Sequence, residues 1–263
     1  MVLVPKDSFL DEAWQPVLPR VWDLIASAFG CSRVARSAEI DSGGTRASRL
    51  ELVLDAESRG GVVLVVQNGV KYEFDATKCM FSSGNITEKQ RVAKFPAQGE
   101  VVVDLFCGIG YFTLPLLVHA GVTHVHACDW NPHAVAAIRH NLKLNGVEGR
   151  CTVHEGDNRV TTAGLDNVAN RVLLGLIPSS QGSWHTAVRV LSQQGGWLHV
   201  HENVHRDEVT AFVERMEANL ADIARGLGKV WNVSCKHVER VKSYAPRVYH
   251  YVFDVLCAPL PPV

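Results

Sequence analysis

Three short segments carry residues whose types and spacing could do chemistry. The first is Asp104-Leu-Phe-Cys-Gly108-Ile-Gly110, which follows the apolar run Val101-Val-Val103. The second is Asp129, nineteen residues after Gly110, which closes His124-Val-His-Ala-Cys128 and is followed by Trp-Asn-Pro132. The third is Glu155-Gly-Asp157-Asn158. Gly108 and Gly110 let the backbone turn sharply and approach a ligand with no Cβ in the way. A carboxylate at 129 suits two hydrogen bonds from a ribose diol, and an acid at 157 can accept from an adenine amino group. Taken singly, Asp129 and Asp157 are also ordinary turn formers at strand ends. Taken together and in this order, they describe a nucleoside pocket. A dinucleotide fold wants a third glycine three residues on, beneath a pyrophosphate. That place holds Thr113, so the pattern favours S-adenosylmethionine over a nicotinamide dinucleotide.

These segments need strands that end together and helices that begin there. From residue 99 the pattern alternates, with strands expected at 101–105, 124–128, 151–155, 171–176 and 196–201. Helices are expected between them at 110–120, 132–145, 183–192 and 205–225. Such alternation predicts an α/β fold, Rossmann-like, with a mostly parallel sheet. Asn131 can cap the second helix, with Pro132 at its first position. Strands at 230–239 and 248–256 lie too close together for a helical crossover and should form an antiparallel edge hairpin. Upstream, Leu50–Leu54, Gly61–Val66 and Val70–Phe74 read as strands, with Gln67-Asn-Gly69 a turn. The expected organisation is a helical remnant over 1–30, a small β-rich α+β domain over 31–98 and the cofactor-binding domain over 99–263.

A hydrophobic share of 47% is ample for a buried core, and a formal charge of −1 gives no global basic field. Contact with nucleic acid would have to come from local patches. Two stand out. One is Arg33, Arg36, Arg46 and Arg49, which reads equally well as a solvated strand face. The other, Lys236, Arg240, Lys242 and Arg247, is interleaved with Tyr244, Tyr249 and Tyr251, a mixture suited to phosphate contact plus base stacking. The seven cysteines include no Cys-x-x-Cys pair and several sit in apolar runs, which fits a reducing, cytoplasmic setting. No apolar stretch is long enough to span a bilayer and no secretory signal is expected. His199-x-His201-x-x-x-His205 lacks the further ligand that a tetrahedral metal site needs, and His124 and His126 are read the same way, so no metal is expected.

The chain resembles the family that joins tRNA guanine-37 N1-methyltransferases with the wybutosine-pathway aminocarboxypropyltransferases, and within it the second branch. The resemblance covers about residues 31–258 and is carried by Phe81-Ser-Ser-Gly-Asn-Ile-Thr-Glu-Lys-Gln-Arg91, Asp104–Gly110, Leu198-His-Val-His-Glu-Asn203 and Val241-Lys-Ser-Tyr-Ala-Pro246. It implies a class I methyltransferase fold, S-adenosylmethionine as donor, and transfer of the 3-amino-3-carboxypropyl arm to a carbon of the tricyclic base made from guanosine 37 of phenylalanine tRNA. Methylthioadenosine would be released. The family's cofactor contacts fall on Ser82, Lys89, Asp129, Asp157 and Asn158, with Asp104, Gly108 and Gly110 shaping the same site. Lys89 would pair with the methionyl carboxylate.

Two departures set the chain apart from the methyl-transferring branch. That branch has an arginine where this chain has Gly84, and Asn-Leu-Pro where this chain has Gly175-Leu-Ile-Pro178. No general base stands out: Glu100, His201 and Glu202 are positional candidates read as structural. Phe106, Tyr111 and Phe112 are placed to line the glycine turn. An N1-methyltransferase and an inactive RNA-binding adaptor remain as alternative readings.

Overall fold

The computed structural model describes residues 1–37, 48, 50–81 and 83–260. It divides into two compact units, Met1–Val66 with Lys71–Ser82, and Gln67–Val70 with Ser83–Val263.

The first unit contains β1 (Val2–Val4), α1 (Leu18–Ala28), β2 (Arg33–Arg36), β3 (Glu51–Asp55), β4 (Val62–Gln67) and β5 (Val70–Asp75), the last two joined by a turn that groups with the second unit. β1 runs parallel to β2, and β2 antiparallel to β3. Trp22 and Ala26, one helical turn apart on α1, are buried with Val34 of β2. Residues 1–30 are therefore not a separate remnant. The three residues of β1 are too few to show a period, and the pairing that makes them a strand comes from β2.

The second unit begins before residue 99, with α2 (Ile86–Val92). It continues through β6 (Val101–Asp104), α3 (Thr113–Pro115, extended by a wide turn over Leu116–Ala120), β7 (His124–Asp129), α4 (Pro132–Leu144), β8 (Cys151–Glu155) and α5 (Asn158–Thr161). Then follow β9 (Arg171–Leu174), α6 (Trp184–Val190), β10 (Gly196–His205), α7 (Val209–Gly226), β11 (Trp231–Ala245) and β12 (Val248–Pro259). The seven strands lie in the order β11-β12-β10-β9-β6-β7-β8. β10, β9, β6, β7 and β8 are mutually parallel, and β12 and β11 add the antiparallel edge. Asn131 caps α4 by accepting from the His133 N–H at 3.0 Å, with Pro132 in the first turn. One face of β10 sends Leu198, Val200 and Val204 into a core shared with Trp184, Val188, Met216 and Leu220 of α6 and α7. The other face turns His199 and His201 toward Phe95 and Phe112.

The domain boundary moves because α2 is fastened to the far end of the chain. Arg91 donates to both oxygens of Glu88, at 2.8 and 2.7 Å, and to both oxygens of Asp254 on β12, at 2.5 and 3.2 Å. Asp254 meets His199 Nδ1 at 2.5 Å, and His199 Nε2 meets Arg171 at 2.6 Å. An arginine can only donate, so Nε2 is the accepting nitrogen and Nδ1 carries the proton given to Asp254. Arg171 closes the chain on Glu100 at 2.7 and 2.9 Å. Phe95 lies within it, stacked on His199 at 4.5 Å and 5.0 Å from each guanidinium.

Candidate functional site

In open parallel sheets, ligands bind beyond the carboxyl ends of the strands. β6, β7 and β8 end at Asp104, Asp129 and Glu155, which brings the segments singled out in the sequence to one edge. Gly108 has φ +55°, and a Cβ there would lie 2.7 Å from the Tyr111 ring. The turn therefore favours glycine at that place. Its N–H donates to Asp129 Oδ2 at 2.8 Å, while the Asn131 N–H donates to Oδ1 at 2.9 Å. Burial raises the Asp129 pKa and these backbone donors pull it back. Each carboxylate oxygen has a second lone pair, so a diol can be held without breaking either bond. Gly110, with φ +102°, completes the turn.

Asp104 is fully buried beneath the turn. Thr113 Oγ1 donates to it at 2.8 Å and the Phe106 N–H at 3.3 Å, and burial pushes its pKa up to about 7. It shapes the cradle from below. Asn158 also works inward: its amide donates to the Leu105 carbonyl at 3.0 Å and accepts from Ser183 at 3.0 Å, tying α5 to β6. Asp157 caps α5 through the Arg159 N–H and is paired with the Arg159 guanidinium, which holds its carboxyl below the usual range. Ser82 lies outside the described residues.

Lys89, on α2, is buried, and its ammonium donates to Gln67 Oε1 at 2.5 Å and lies 5.8 Å from the Tyr111 ring centre. Burial lowers its pKa to about 8. A desolvated ammonium beside the glycine turn fits a carboxylate-bearing ligand, since an anion there recovers the lost solvation. Lys89→Ala is expected to weaken S-adenosylmethionine binding about ten- to a hundredfold, the range for one hydrogen bond to a charged group. Methylthioadenosine, which lacks the amino-acid arm, should bind within about twofold of normal by the same reasoning. The wild-type preference for the longer ligand should fade as pH rises through about 8, where Lys89 loses its charge. Isothermal titration of both ligands from pH 6.5 to 9 reads this directly; equal losses for the two would remove Lys89 from carboxylate binding.

Several expected candidates are placed elsewhere. Glu100 precedes β6, at the opposite end of the strand from the turn, and is committed to Arg171. It is thereby excluded as a base. His201 is buried against His250 at 2.9 Å, and burial lowers its pKa well below the ordinary value. Glu202 lies on the other face of β10, buried, with a pKa pushed up to about 7 by burial against hydrogen bonds from Ser179 and Ser180. Of the glycine-turn aromatics, Tyr111 covers the turn and Phe112 tilts onto His201 at 5.1 Å. Phe106 packs at the edge of the core of β10, α6 and α7.

The first basic cluster is mostly spent. Arg33 is buried and donates to the carbonyls of Gly60 and Val62, at 3.0 and 2.5 Å, and Arg36 pairs with Glu51 at 2.9 Å. Arg46 and Arg49 lie outside the described residues. In the tail cluster Arg247 pairs with Asp207, whereas Arg240 lies exposed over the Tyr249 ring at 5.1 Å and Tyr244 is 54% exposed. Among the described residues no group of three or more His, Cys, Asp or Glu has metal-holding geometry, and no helix is long and apolar enough to cross a membrane.

What sequence reasoning missed was α2 as a helix, its anchor on Asp254, and Gln67 as the partner of Lys89. Only the spacing of Ile86, Lys89 and Val92 hinted at the helix; nothing local points to residue 254.

Known proteins share this architecture. A family model described as the TRM5/TYW2 methyltransferase domain matches residues 63–225. An Arabidopsis thaliana protein named tRNA wybutosine-synthesizing protein 2/3/4 is 48% identical over 257 residues, 98% of this chain and 25% of that protein. The human tRNA wybutosine-synthesizing protein 2 homolog is 41% identical over 313 aligned residues, 100% of this chain and 69% of that protein. The chain thus spans about a quarter of the plant relative. The crystal structure of Pyrococcus horikoshii TYW2 in complex with MeSAdo superposes with a TM-score of 0.78 at 28% identity, covering 97% of this chain and 87% of that one.

Proposed function

This chain belongs to the TRM5/TYW2 methyltransferase-domain family, and we propose that it transfers the 3-amino-3-carboxypropyl arm of S-adenosylmethionine to a carbon of the tricyclic guanosine-derived base at position 37 of phenylalanine tRNA. The observation that carries this reading is identity of 41–48%, over nearly all of this chain, to proteins named for wybutosine synthesis. The solved relative that holds MeSAdo is consistent with the nucleoside left by this chemistry.

Two positions support arm transfer over methylation. A Cβ on Gly84 would lie 3.0 Å from the Lys242 side chain, so that chain occupies space an arginine would need. A Cβ on Gly175 would lie 3.3 Å from the Phe112 ring, which crowds the place of the amide in the methyl-transferring branch.

In the reaction the acceptor carbon bonds to the γ-methylene of the donor as the γ-carbon–sulfur bond breaks. The electron pair goes to sulfur, turning the sulfonium into a neutral thioether, and the acceptor carbon gives up its proton to solvent. The three carbons on sulfur differ in which one faces the base, and alignment alone can supply effective molarities of about 10⁵–10⁸ M. Asp129 would hold the ribose, the Gly108 turn the nucleoside, and Lys89 the arm. The exposed Arg240 and Tyr244 of β11 would meet the RNA. All seven cysteines are unbridged, in keeping with a place in the cytoplasm.

The test is donor labelled separately in its methyl and carboxypropyl carbons, incubated with tRNA from cells lacking this activity. Carboxypropyl label should enter the RNA, with methylthioadenosine released in equal amount. Methyl label in the RNA would establish the N1-methyltransferase instead, and no transfer with intact donor binding would favour the adaptor.

A further inference from the structure

Asn203 sits near the carboxyl end of β10, three residues past Val200, the last to pair with β9 at Leu174. Both polar atoms of its amide are buried with no hydrogen-bond partner among the described residues. Leaving an amide unsatisfied in this way is destabilising, because its lost hydration is not replaced. Native proteins keep few such groups, and each calls for an explanation, a role in catalysis or binding among them.

Its surroundings say what kind. By alternation its side chain shares a face with His199 and His201, the face covered by Phe95 and Phe112. The Asn203 N–H donates to the Pro178 carbonyl at 2.8 Å, so the loop after β9 passes beside it. Across the sheet Asn203 pairs with His250, and His250 with Lys242. Lys242 in turn lies against Gly84, next to Asn85, whose Oδ1 is also buried without a partner among the described residues. Two asparagines with unmet hydrogen-bonding capacity thus frame the strand end beside the position-175 loop.

We propose that Asn203, assisted by Asn85, reads the hydrogen-bonding edge of the acceptor base. An amide offers one donor face and one acceptor face, the pattern that pairs two-pronged with a nucleobase edge. A guanine-derived ring keeps a carbonyl and ring nitrogens for it to meet. This inference rests on the transfer reaction proposed above and adds to it the residues that select the base.

The test exploits the unpaired state of the amide. Asn203→Ala should leave the melting temperature unchanged or raised, because no bond is lost and an unsatisfied group is removed. It should leave methylthioadenosine affinity unchanged. Yet kcat/KM for hypomodified tRNA should fall about ten- to a hundredfold, the usual worth of a two-pronged base contact. Asn203→Asp, of equal size but unable to donate, should show a comparable loss, and Asn85→Ala a smaller one of about threefold to tenfold for a single acceptor. Wild-type protein run alongside with the doubly labelled donor separates the two readings. If it transfers the arm while both Asn203 variants keep normal kcat/KM, the inference is overturned and the function stands. If the variants lose stability in proportion to activity, Asn203 is structural and the inference is again overturned. If wild type transfers no arm, the functional reading falls and this inference with it.

Discussion

Replacing Asp129 with alanine is expected to reduce affinity for S-adenosylmethionine and for methylthioadenosine by a similar factor, at least about a hundredfold. The size follows from two hydrogen bonds to a charged acceptor, each contributing about 1.5 kcal/mol or more. The similarity follows from the proposed role: both ligands carry the ribose, and Asp129 is proposed to hold the ribose and not the amino-acid arm. Asp129 also receives the Gly108 N–H at 2.8 Å, so the alanine variant loosens the turn as well as deleting the acceptor. The Asp129→Asn variant keeps one acceptor oxygen and should cost less, about tenfold by the same figures. Titration calorimetry of both ligands gives the ratio. Affinities within fivefold of wild type for Asp129→Ala would end its proposed assignment to the ribose, and a loss confined to S-adenosylmethionine would move it to the arm, the role proposed for Lys89.

The second large effect concerns stability. Asp254→Ala should lower the melting temperature of the second unit by about 10 °C. Removing one member of a buried ion pair typically costs about 3–5 kcal/mol, because the partner charge is left unpaired. In a unit of this size each kcal/mol is about 2–4 °C. Here the partners that lose a contact are Arg91, which keeps only Glu88 among the described carboxylates, and His199, which bridges to Arg171. Burial alone would raise the Asp254 pKa, but the His199 hydrogen bond and the Arg91 charge hold it far below the usual carboxylate range. A folded-state pKa below the unfolded one makes its contribution full above about pH 4 and progressively lost as pH falls further. Wild type should therefore lose more stability than Asp254→Ala on acidification from pH 5 to 3. Arg91→Ala should resemble Asp254→Ala, and the double variant should fall well short of the sum. Additive losses, or a single-variant shift under 2 °C, would show that the chain of charges does not hold α2 in place. Because Lys89 rides on the same helix, the variants that destabilise should also lose the preference for S-adenosylmethionine over methylthioadenosine.

The two predictions mark two kinds of legibility. Asp129 could be found without coordinates. The strand, the glycine turn and the acid are set by local rules: apolar runs make strands, positive φ selects glycine, and strand ends in a parallel sheet fall on one side. The capped helix at Asn131 and the antiparallel tail hairpin follow from equally local patterns. Asp254 could not be found this way, because its partner lies 163 residues away along the chain and nothing in its own neighbourhood, Val252-Phe-Asp-Val255, marks it.

Length and pattern along the chain thus settle most of the strands and helices from β6 onward and what kind of ligand their ends can hold, since periodicity and turn chemistry act over a few residues. Packing alone decides which side chains are spent and which remain available. Arg33 reads as part of a basic patch and is consumed by two backbone carbonyls. Glu100 reads as structural despite its place beside the first strand, but only the fold shows that its partner is Arg171. Asn203 reads as the last letter of a motif and emerges with an amide that nothing in the described fold satisfies. Whether a polar group is satisfied depends on neighbours brought together through space, and that information is absent from any short window of sequence.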